Sequence, residues 1–309
     1  MLVQVVRRLI VAVPTLLAII TAAFFLMHSA EGGPFDRERQ LPPEIERRLL
    51  AEYKLDLPVH EQLGHYLGGL AQGDLGPSMT YKDKDVFQII AEGFPTSFVL
   101  GVSAITLAVL IGGLLGVMAA LRQNKPQDYA VMALAMVGVC LPPLVMGPIF
   151  KLVFGETLNL LPSVGLARDQ FSVPHLLLPV LTLALPQIAI VSRLMRASTI
   201  EAMRSNAIRT ARAKGLPEHE IIWRHALPVA ALPVVSYLGP ALAGVLAGSF
   251  VIETVFGLPG IGRQFIIGAL SRDYTLVMGV VILYSALIIF MNMLVDVLYG
   301  VLDPRARAA

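Results

Sequence analysis

Charge is what this chain has least of. Asp, Glu, Lys and Arg make up 15% of its 309 residues, against 56% hydrophobic residues and a mean hydropathy of +0.71. Soluble domains carry roughly 25% charged residues, so a soluble enzyme, a disordered chain and a nucleic-acid binder are excluded. Cysteine is nearly absent too. Cys140 stands alone, so no intrachain disulfide can form and the redox compartment cannot be read from it. Catalytic motifs are missing: there is no HExxH pair and no GxSxG elbow. The glycine spacing of a phosphate loop does occur, at Gly257-Leu258-Pro259-Gly260-Ile261-Gly262-Arg263-Gln264. Arg263 and Gln264 stand where lysine and a hydroxyl would hold phosphate and magnesium. That segment reads as a tight turn between two apolar runs, and the chain hydrolyses no ATP by itself.

The charge that remains is confined to particular places. Marking every Asp, Glu, Lys and Arg leaves six charge-free runs of 22 to 29 residues, at 9–30, 93–121, 129–150, 170–192, 225–252 and 274–295. About 20 apolar residues in a helix span the hydrocarbon core of a bilayer. The pattern predicts an all-α integral membrane protein with six transmembrane helices. The first run follows Arg7 and Arg8 as a signal peptide would. Its apolar stretch, 9–27, exceeds the roughly 7–15 residues of a cleaved signal, so residues 1–30 read as a retained anchor helix. Six spans put both termini on one side. With that side inside, the inner segments 1–8, 122–128, 193–224 and 303–309 hold thirteen Lys and Arg. The outer segments beyond the first loop hold only Lys151, Arg168, Arg263 and Arg272. The positive-inside bias makes both termini cytoplasmic.

Residues 31–92 form one long outer segment with seven basic and twelve acidic residues, a net charge of −5. It opens on a breaker cluster, Glu31-Gly32-Gly33-Pro34. Pro42-Pro43 then precede a helical stretch over 44–54, where proline suits a first turn. Ile45, Leu49 and Tyr53 recur at i, i+4 and i+8, and Leu63, Tyr66, Leu67 and Leu70 share one side of a second helix. A small helical subdomain packed on the outside of the bundle is expected.

Ionisable groups are nearly absent from the middle of the runs. Lys151, Glu253 and Asp296 fall at the expected ends, where snorkelling or capping accounts for them. Carriers driven by an ion gradient usually keep carboxylates or histidines at mid-membrane depth, so this absence argues against that class. Glycine and proline are there instead. Gly112 with Gly116, and Gly244 with Gly248, form GxxxG pairs that let helices approach closely. Pro142, Pro143 and Pro148, Pro179 and Pro186, and Pro233 and Pro240 each remove a backbone donor, predicting kinks in the third, fourth and fifth spans. Bent helices around an aqueous path suit a transporter.

The one sizeable inner segment, 193–224, carries Arg193, Arg196, Arg204, Arg209, Arg212, Lys214 and Arg224 against Glu201, Glu218 and Glu220. Residues 199–214 read as one continuous helix of good formers with no proline. Gly215-Leu216-Pro217 stops it, and residues 218–225 begin another helical turn into the next span. The segment is thus a helix, a tight turn and a helix beneath the membrane, a rigid knob for a partner on that side.

The stretch Asn206-Ala207-Ile208-Arg209-Thr210-Ala211-Arg212-Ala213-Lys214-Gly215-Leu216-Pro217, followed by Arg224-His225-Ala226-Leu227-Pro228, resembles the cytoplasmic loop of binding-protein-dependent ABC importer permeases. That family's pattern is Glu-Ala-Ala, three residues, Gly, nine residues, then Ile-x-Leu-Pro. Here Arg209, Thr210 and Ala211 occupy the first positions, Gly215 is the glycine, and His225 replaces the isoleucine. These departures look like the form of the peptide and nickel branch. The beginning, Arg7-Arg8-Leu9 with Pro14-Thr15, is similar to the same branch, as are Gly73-Asp74-Leu75-Gly76-Pro77-Ser78, the run from Glu253 to Gly262, Arg272-Asp273-Tyr274 and Asp303-Pro304-Arg305. The resemblance covers nearly the whole chain.

It implies the ABC importer type I permease fold in a bacterial inner membrane. The anchor helix would occupy 1–30, the outer subdomain 31–92, a five-helix permease core 93–302 with its coupling loop at 193–225, and a cytoplasmic tail 303–309. The implied partners are a sister permease, two cytoplasmic ATPases and an extracytoplasmic peptide-binding protein, besides membrane lipid. ATP and magnesium would be bound by the ATPases, with no cofactor, metal or catalytic residue in this chain. The coupling residues implied are Asn206, Ala207, Ile208, Arg209, Thr210, Ala211, Arg212, Lys214, Gly215, Leu216, Pro217, Leu227 and Pro228, with Arg209 and Arg212 facing acidic groups of an ATPase. The implied cargo is oligopeptide, with dipeptides, nickel, murein peptides and short sugars as rivals. A channel or gradient-driven carrier is the other class, and it predicts uptake that survives loss of ATP. An intramembrane enzyme lacks any catalytic constellation.

Overall fold

The computed structural model describes residues 2–29, 33, 42–81, 83–163 and 172–302. Glu31, Gly32 and Pro34 of the expected breaker cluster, Arg168, and the tail 303–309 with its Asp303-Pro304-Arg305 lie outside the described residues, as do the side chains of Arg7 and Asp296. The helices, in order, are α1 (Leu2–Ser29), α2 (Pro43–Glu52), α3 (Val59–Ala71), α4 (Val86–Leu121), α5 (Pro126–Cys140) and α6 (Pro143–Phe150, continued by a π turn over Lys151–Thr157). Then come α7 (Val173–Met203), α8 (Asn206–Ala213), α9 (Glu218–Glu220, followed by a π turn over Ile221–Ala226), α10 (Leu227–Ala230), α11 (Leu232–Gly248), α12 (Phe250–Val255), α13 (Ile261–Leu270) and α14 (Tyr274–Leu302). The only extended pairing among the described residues is an isolated bridge between Pro77 and Asp85.

Among the described residues, five stretches are long and apolar enough to cross a bilayer: Arg8–Ser29, Val86–Leu121, Val173–Met203, Leu232–Val255 and Tyr274–Val295. A helix satisfies its own backbone, which hydrocarbon demands. The remaining run is broken rather than kinked. α5 and α6–π meet at 98°, so a sixth span exists only as a bent pair. The cause is local. Leu141 precedes proline and is held extended (φ −92°, ψ 110°), and Pro142 follows at φ −61°, ψ 141°. Two successive non-helical residues are enough to redirect the chain. Pro179, Pro186 and Pro240, by contrast, sit inside helices that continue through them.

The chain divides into two compact units. Of the described residues, the first comprises 98–163, 172–258 and 290–302 with Leu2; its core gathers Leu100, Leu178, Leu183, Ile252, Phe256 and Leu258. Here α4 lies hard against α7. A methyl group added at Gly112 would come within 2.7 Å of the Ile188 carbonyl oxygen, and one at Gly116 within 2.5 Å of that of Ser192. The other glycine pair differs, since Gly244 and Gly248 meet no heavy atom within 4 Å.

Of the described residues, the second unit comprises 3–29, 33, 42–81, 83–97 and 259–289. Leu63, Tyr66, Leu67 and Leu70 of α3 pack on Ile20 and Phe24 of α1 and on Met278 of α14, as their spacing predicts. The Tyr53 hydroxyl donates to the Ser78 carbonyl at 3.2 Å, while Ile45 is left exposed. Asp273 holds this unit together. It is fully buried, accepts from the Ser78 hydroxyl at 2.5 Å and the Thr80 N–H at 2.9 Å, and caps α14 through the Leu276 N–H at 3.0 Å. Two short motifs far apart in sequence, 73–78 and 272–274, thereby meet.

Two sequence expectations need correction. The 257–264 segment is more than a tight turn. Gly257 turns the chain at φ +65°, Gly260 is extended, and the ten residues of α13 follow before the last span begins. Glu253 neither snorkels nor lies exposed: it is fully buried in α12 among the Ile252–Leu258 packing, with the Ser249 hydroxyl 2.7 Å from its carboxyl.

Gly116→Ala is expected to lower the thermal-unfolding midpoint of the purified chain in detergent, at a cost of about 1–3 kcal/mol, because backbone must shift to admit the methyl. Gly244→Ala, where nothing stands in the way, is expected to leave the midpoint unchanged or raise it slightly.

Candidate coupling loop

The loop is built from α7 outward. Its helix does not run on to Lys214 as the sequence suggests: it ends at Met203, and Arg204 and Ser205 separate it from α8. Ser205 is extended (φ −67°, ψ 155°), and its hydroxyl accepts from the Ile208 N–H at 3.5 Å. This is an N-cap, which serine performs well because a short side-chain oxygen reaches the orphan amides of the first turn. Good helix formers on both sides hid the break.

α8 has two faces. Ile208 and Ala211 are buried, packing with Met195 and Ala202 of α7 and with Ile221 and Ala226 beyond the turn. Asn206, Ala207, Arg209, Thr210 and Arg212 are exposed, as are Lys214, Gly215 and Pro217 after the helix. The C-terminal stop is fully formed. Gly215 adopts φ +79°, its N–H reaches the Arg212 carbonyl at 2.9 Å, and the Leu216 N–H reaches the Ala211 carbonyl at 3.3 Å. That is the Schellman pattern, completed by Leu216 joining Ala211 in the same apolar cluster. Leu227, half-buried in that cluster, roots the next helix, and Pro228 beside it is exposed. Eleven of the thirteen candidate residues thus line the turn itself, while Leu227 and Pro228 belong to α10 behind it.

Charge stiffens the turn. Arg212 donates to both carboxylate oxygens of Glu218, at 2.6 and 3.2 Å, bridging the two sides of Gly215. The guanidinium holds the Glu218 carboxyl below the usual carboxylate range, and the carboxylate pushes the arginine up. Arg224 pairs with Glu220 one turn away at 2.5 Å. Arg212 is therefore engaged within the chain. Arg209 and Lys214 are exposed cations with no ion pair among the described residues.

The loop's base rests on a contact that the sequence did not announce. Asp128, at the first turn of α5 and 1% exposed, accepts two hydrogen bonds from Arg196 of α7 at 2.5 and 2.6 Å and a third from the Asn124 N–H at 2.9 Å. Arg204 also reaches the Gln123 side chain at 3.2 Å. The available signal was an acidic residue in a first helical turn, behind Arg122 and Lys125, facing an arginine-bearing helix. No residue spacing says which arginine it meets.

No group of three or more His, Cys, Asp and Glu among the described residues is placed to hold a metal. A cavity of about 210 Å³ in the second unit is lined by Phe24, His28, Tyr53, Tyr66, Tyr274 and Met278, and it includes none of the candidate residues. What the loop can do is mechanical: present a short, doubly capped helix with two free cations to another protein.

The family described as binding-protein-dependent transport system inner membrane component matches residues 112–308, and the chain belongs to it. It is a multi-pass inner-membrane transport permease. Along its full length it is similar to the oligopeptide transport system permease protein OppB of Salmonella typhimurium, 50% identical over 307 residues, which are 99% of this chain and 100% of that protein. The dipeptide transport system permease protein DppB of Bacillus subtilis is 40% identical over 302 residues, 98% of this chain and 97% of that one. Among solved structures, the inward-facing MetNI methionine ABC transporter superposes with a TM-score of 0.60 at 16% identity, covering 70% of this chain and 97% of that chain. That likeness shows the fold alone.

Asp128→Ala leaves the Arg196 guanidinium without its partner at a largely buried site. The expected loss is about 3 kcal/mol, the low end for a broken buried pair because Arg196 keeps some solvent. Denaturant titration of the purified chain measures it, and a change below about 1 kcal/mol would show that α5 and α7 do not depend on the pair.

Proposed function

We propose that this chain is one of two non-identical membrane subunits of an ATP-driven importer of oligopeptides, and that residues 206–228 couple it to the ATPases. The observation that carries the cargo is the 50% identity with an oligopeptide permease, sustained across the whole of both chains. The mechanical part draws on the loop. In this reading both termini are cytoplasmic, and a sister permease supplies the other half of the path. An extracytoplasmic binding protein delivers the peptide, and two cytoplasmic ATPases bind ATP and magnesium and clasp α8.

Closure of the ATPases moves α8. The caps at Ser205 and Gly215 and the Arg212–Glu218 bridge keep it from unravelling under load, and burial of Ile208 and Ala211 passes the displacement into α7 and α10. Arg209 and Lys214 are the cations left to meet acidic groups on an ATPase. The acidic outer segment, 31–92, faces the binding protein. Dipeptides are the second cargo reading, favoured by the 40% full-length identity with a dipeptide permease.

Recovery of the tagged chain from its native membrane in mild detergent, followed by mass spectrometry, is expected to bring down a second permease and two ATPases. Recovery of the chain alone, where a known importer stays intact, would favour a self-sufficient carrier or channel. In the assembled importer, Arg209→Glu and Gly215→Pro are each expected to cut peptide uptake at least about tenfold, the equivalent of 1.4 kcal/mol of lost coupling, with membrane insertion preserved. Normal uptake by both variants would sink the coupling assignment.

A further inference from the structure

The coupling reading leaves one exposed aromatic unused. Trp223, the single tryptophan of the chain, is 71% exposed on the π turn that carries α9 into α10. Ile221 and Ala226 on either side of it are fully buried in the cluster that roots α8. The indole therefore faces away from the packing that holds the loop. A second aromatic behaves the same way: Tyr129, in the first turn of α5, is 65% exposed. Asp128–Arg196 and Gln123–Arg204 tie that turn to α7 where α7 gives way to the loop, so both aromatics belong to the same end of this unit.

That end is also where apolar surface gives way to charge. Met118 and Leu121 of α4 are exposed immediately before Arg122, and Val229 is exposed just after Arg224 and His225. The charge-free run 225–252 is 28 residues long, about eight more than a 30 Å hydrocarbon core requires. With the core centred on the run and the helix at the usual tilt of about 20°, Trp223 lies about five residues, ~7 Å, outside the hydrocarbon edge. Headgroups fill roughly 5–8 Å on each side. Tryptophan and tyrosine suit that layer because an apolar ring lies against the acyl chains' upper carbons while the N–H or O–H finds an ester or phosphate oxygen. Arg122 and Lys125, both exposed beside Tyr129, add charge of the sign that attracts anionic headgroups.

We propose that Trp223 and Tyr129 form an aromatic anchor that seats the root of the loop in the phospholipid headgroup layer and so fixes the height at which α8 is presented. The consequence for transport rests on the coupling reading above; the contact with lipid does not. Trp223 is a positioning residue, acting through the π turn on the helix beyond it.

The lone tryptophan makes the contact directly measurable. The full chain is reconstituted, without any ATPase, in vesicles of phosphatidylethanolamine and phosphatidylglycerol with brominated acyl chains. Emission is expected to be blue-shifted from that of free tryptophan, quenched more by bromine near the glycerol end than near the chain terminus, and protected from aqueous iodide. Free access of iodide with no quenching by brominated lipid would overturn the anchor, and protection from both quenchers would overturn it equally, since a protein surface would then cover the ring. In the assembled importer, Trp223→Ala is expected to lower peptide transported per ATP hydrolysed several-fold with the ATPases still bound, and Trp223→Tyr to restore it. An unchanged ratio in Trp223→Ala would remove the positioning role. Quenching by lipid together with normal uptake by Arg209→Glu and Gly215→Pro would instead leave the anchor standing and sink the coupling assignment.

Discussion

A hydrocarbon layer about 30 Å thick offers no hydrogen-bond partner, and the placement of nearly every charge in this chain answers to that fact. Two of the carboxylates that the fold buries sit at helix ends with their oxygens engaged. Asp128 takes three donors where α5 begins, and Asp273 takes Ser78, Thr80 and the first turn of α14. A buried carboxylate is costly unless its lone pairs are met. Both therefore specify geometry: each can be satisfied in one arrangement of the two segments it joins, so each acts as a pin.

The pins matter because the spans themselves are held by little that is directional. Lipid tails are as apolar as leucine, so helices in a bilayer associate through close packing. α4 and α7 achieve that through Gly112 and Gly116, whose missing side chains let the α7 backbone approach. Close packing fixes distance well but resists sliding less. The Asp128–Arg196 contact adds a directional tie between α5 and α7 on the side from which the loop emerges.

The parts of this arrangement that follow from simple periodicities were legible in the sequence. Charge-free runs located the spans, and the spacing of Leu63, Tyr66, Leu67 and Leu70 predicted the face that α3 buries. Gly215 and Pro217 announced the end of α8, and the structure completes that stop with both of its hydrogen bonds. What was not legible depended on competition between neighbours. Prolines at 142 and 143 promised a bend, yet the turn became a 98° break because Leu141, forced out of helical geometry by the proline after it, doubled the disruption. Ser205 inside a run of helix formers looked unremarkable until its hydroxyl was seen capping the next turn. Glu253 lay at the end of a run, where exposure is the default, and only the packing of Ile252, Phe256 and Leu258 around it decided otherwise. The sequence singled out the candidate loop but could not say which of its cations pair within the chain. Arg209 and Arg212 look equivalent three residues apart, and only the fold shows that Glu218 has already taken the second.

That last distinction separates two tasks within α8. An isolated helix of eight residues is unstable in water, because nucleation costs more than so few hydrogen bonds return. α8 exists because Ser205 and Gly215 satisfy its ends and because Ile208 and Ala211 are buried. Removing the burial would melt the element even with every charge in place. The exposed cations can choose a partner, but they cannot carry a displacement, since long solvated side chains yield before backbone does. In the proposed coupling, force entering α8 would pass to α7 and α10 through Ile208 and Ala211, close-packed against Met195, Ala202, Ile221 and Ala226. Close-packed contacts of that kind transmit strain with little loss. In the proposed coupling, recognition and transmission fall on opposite faces of one short helix, so the charged face can be altered without softening the joint behind it.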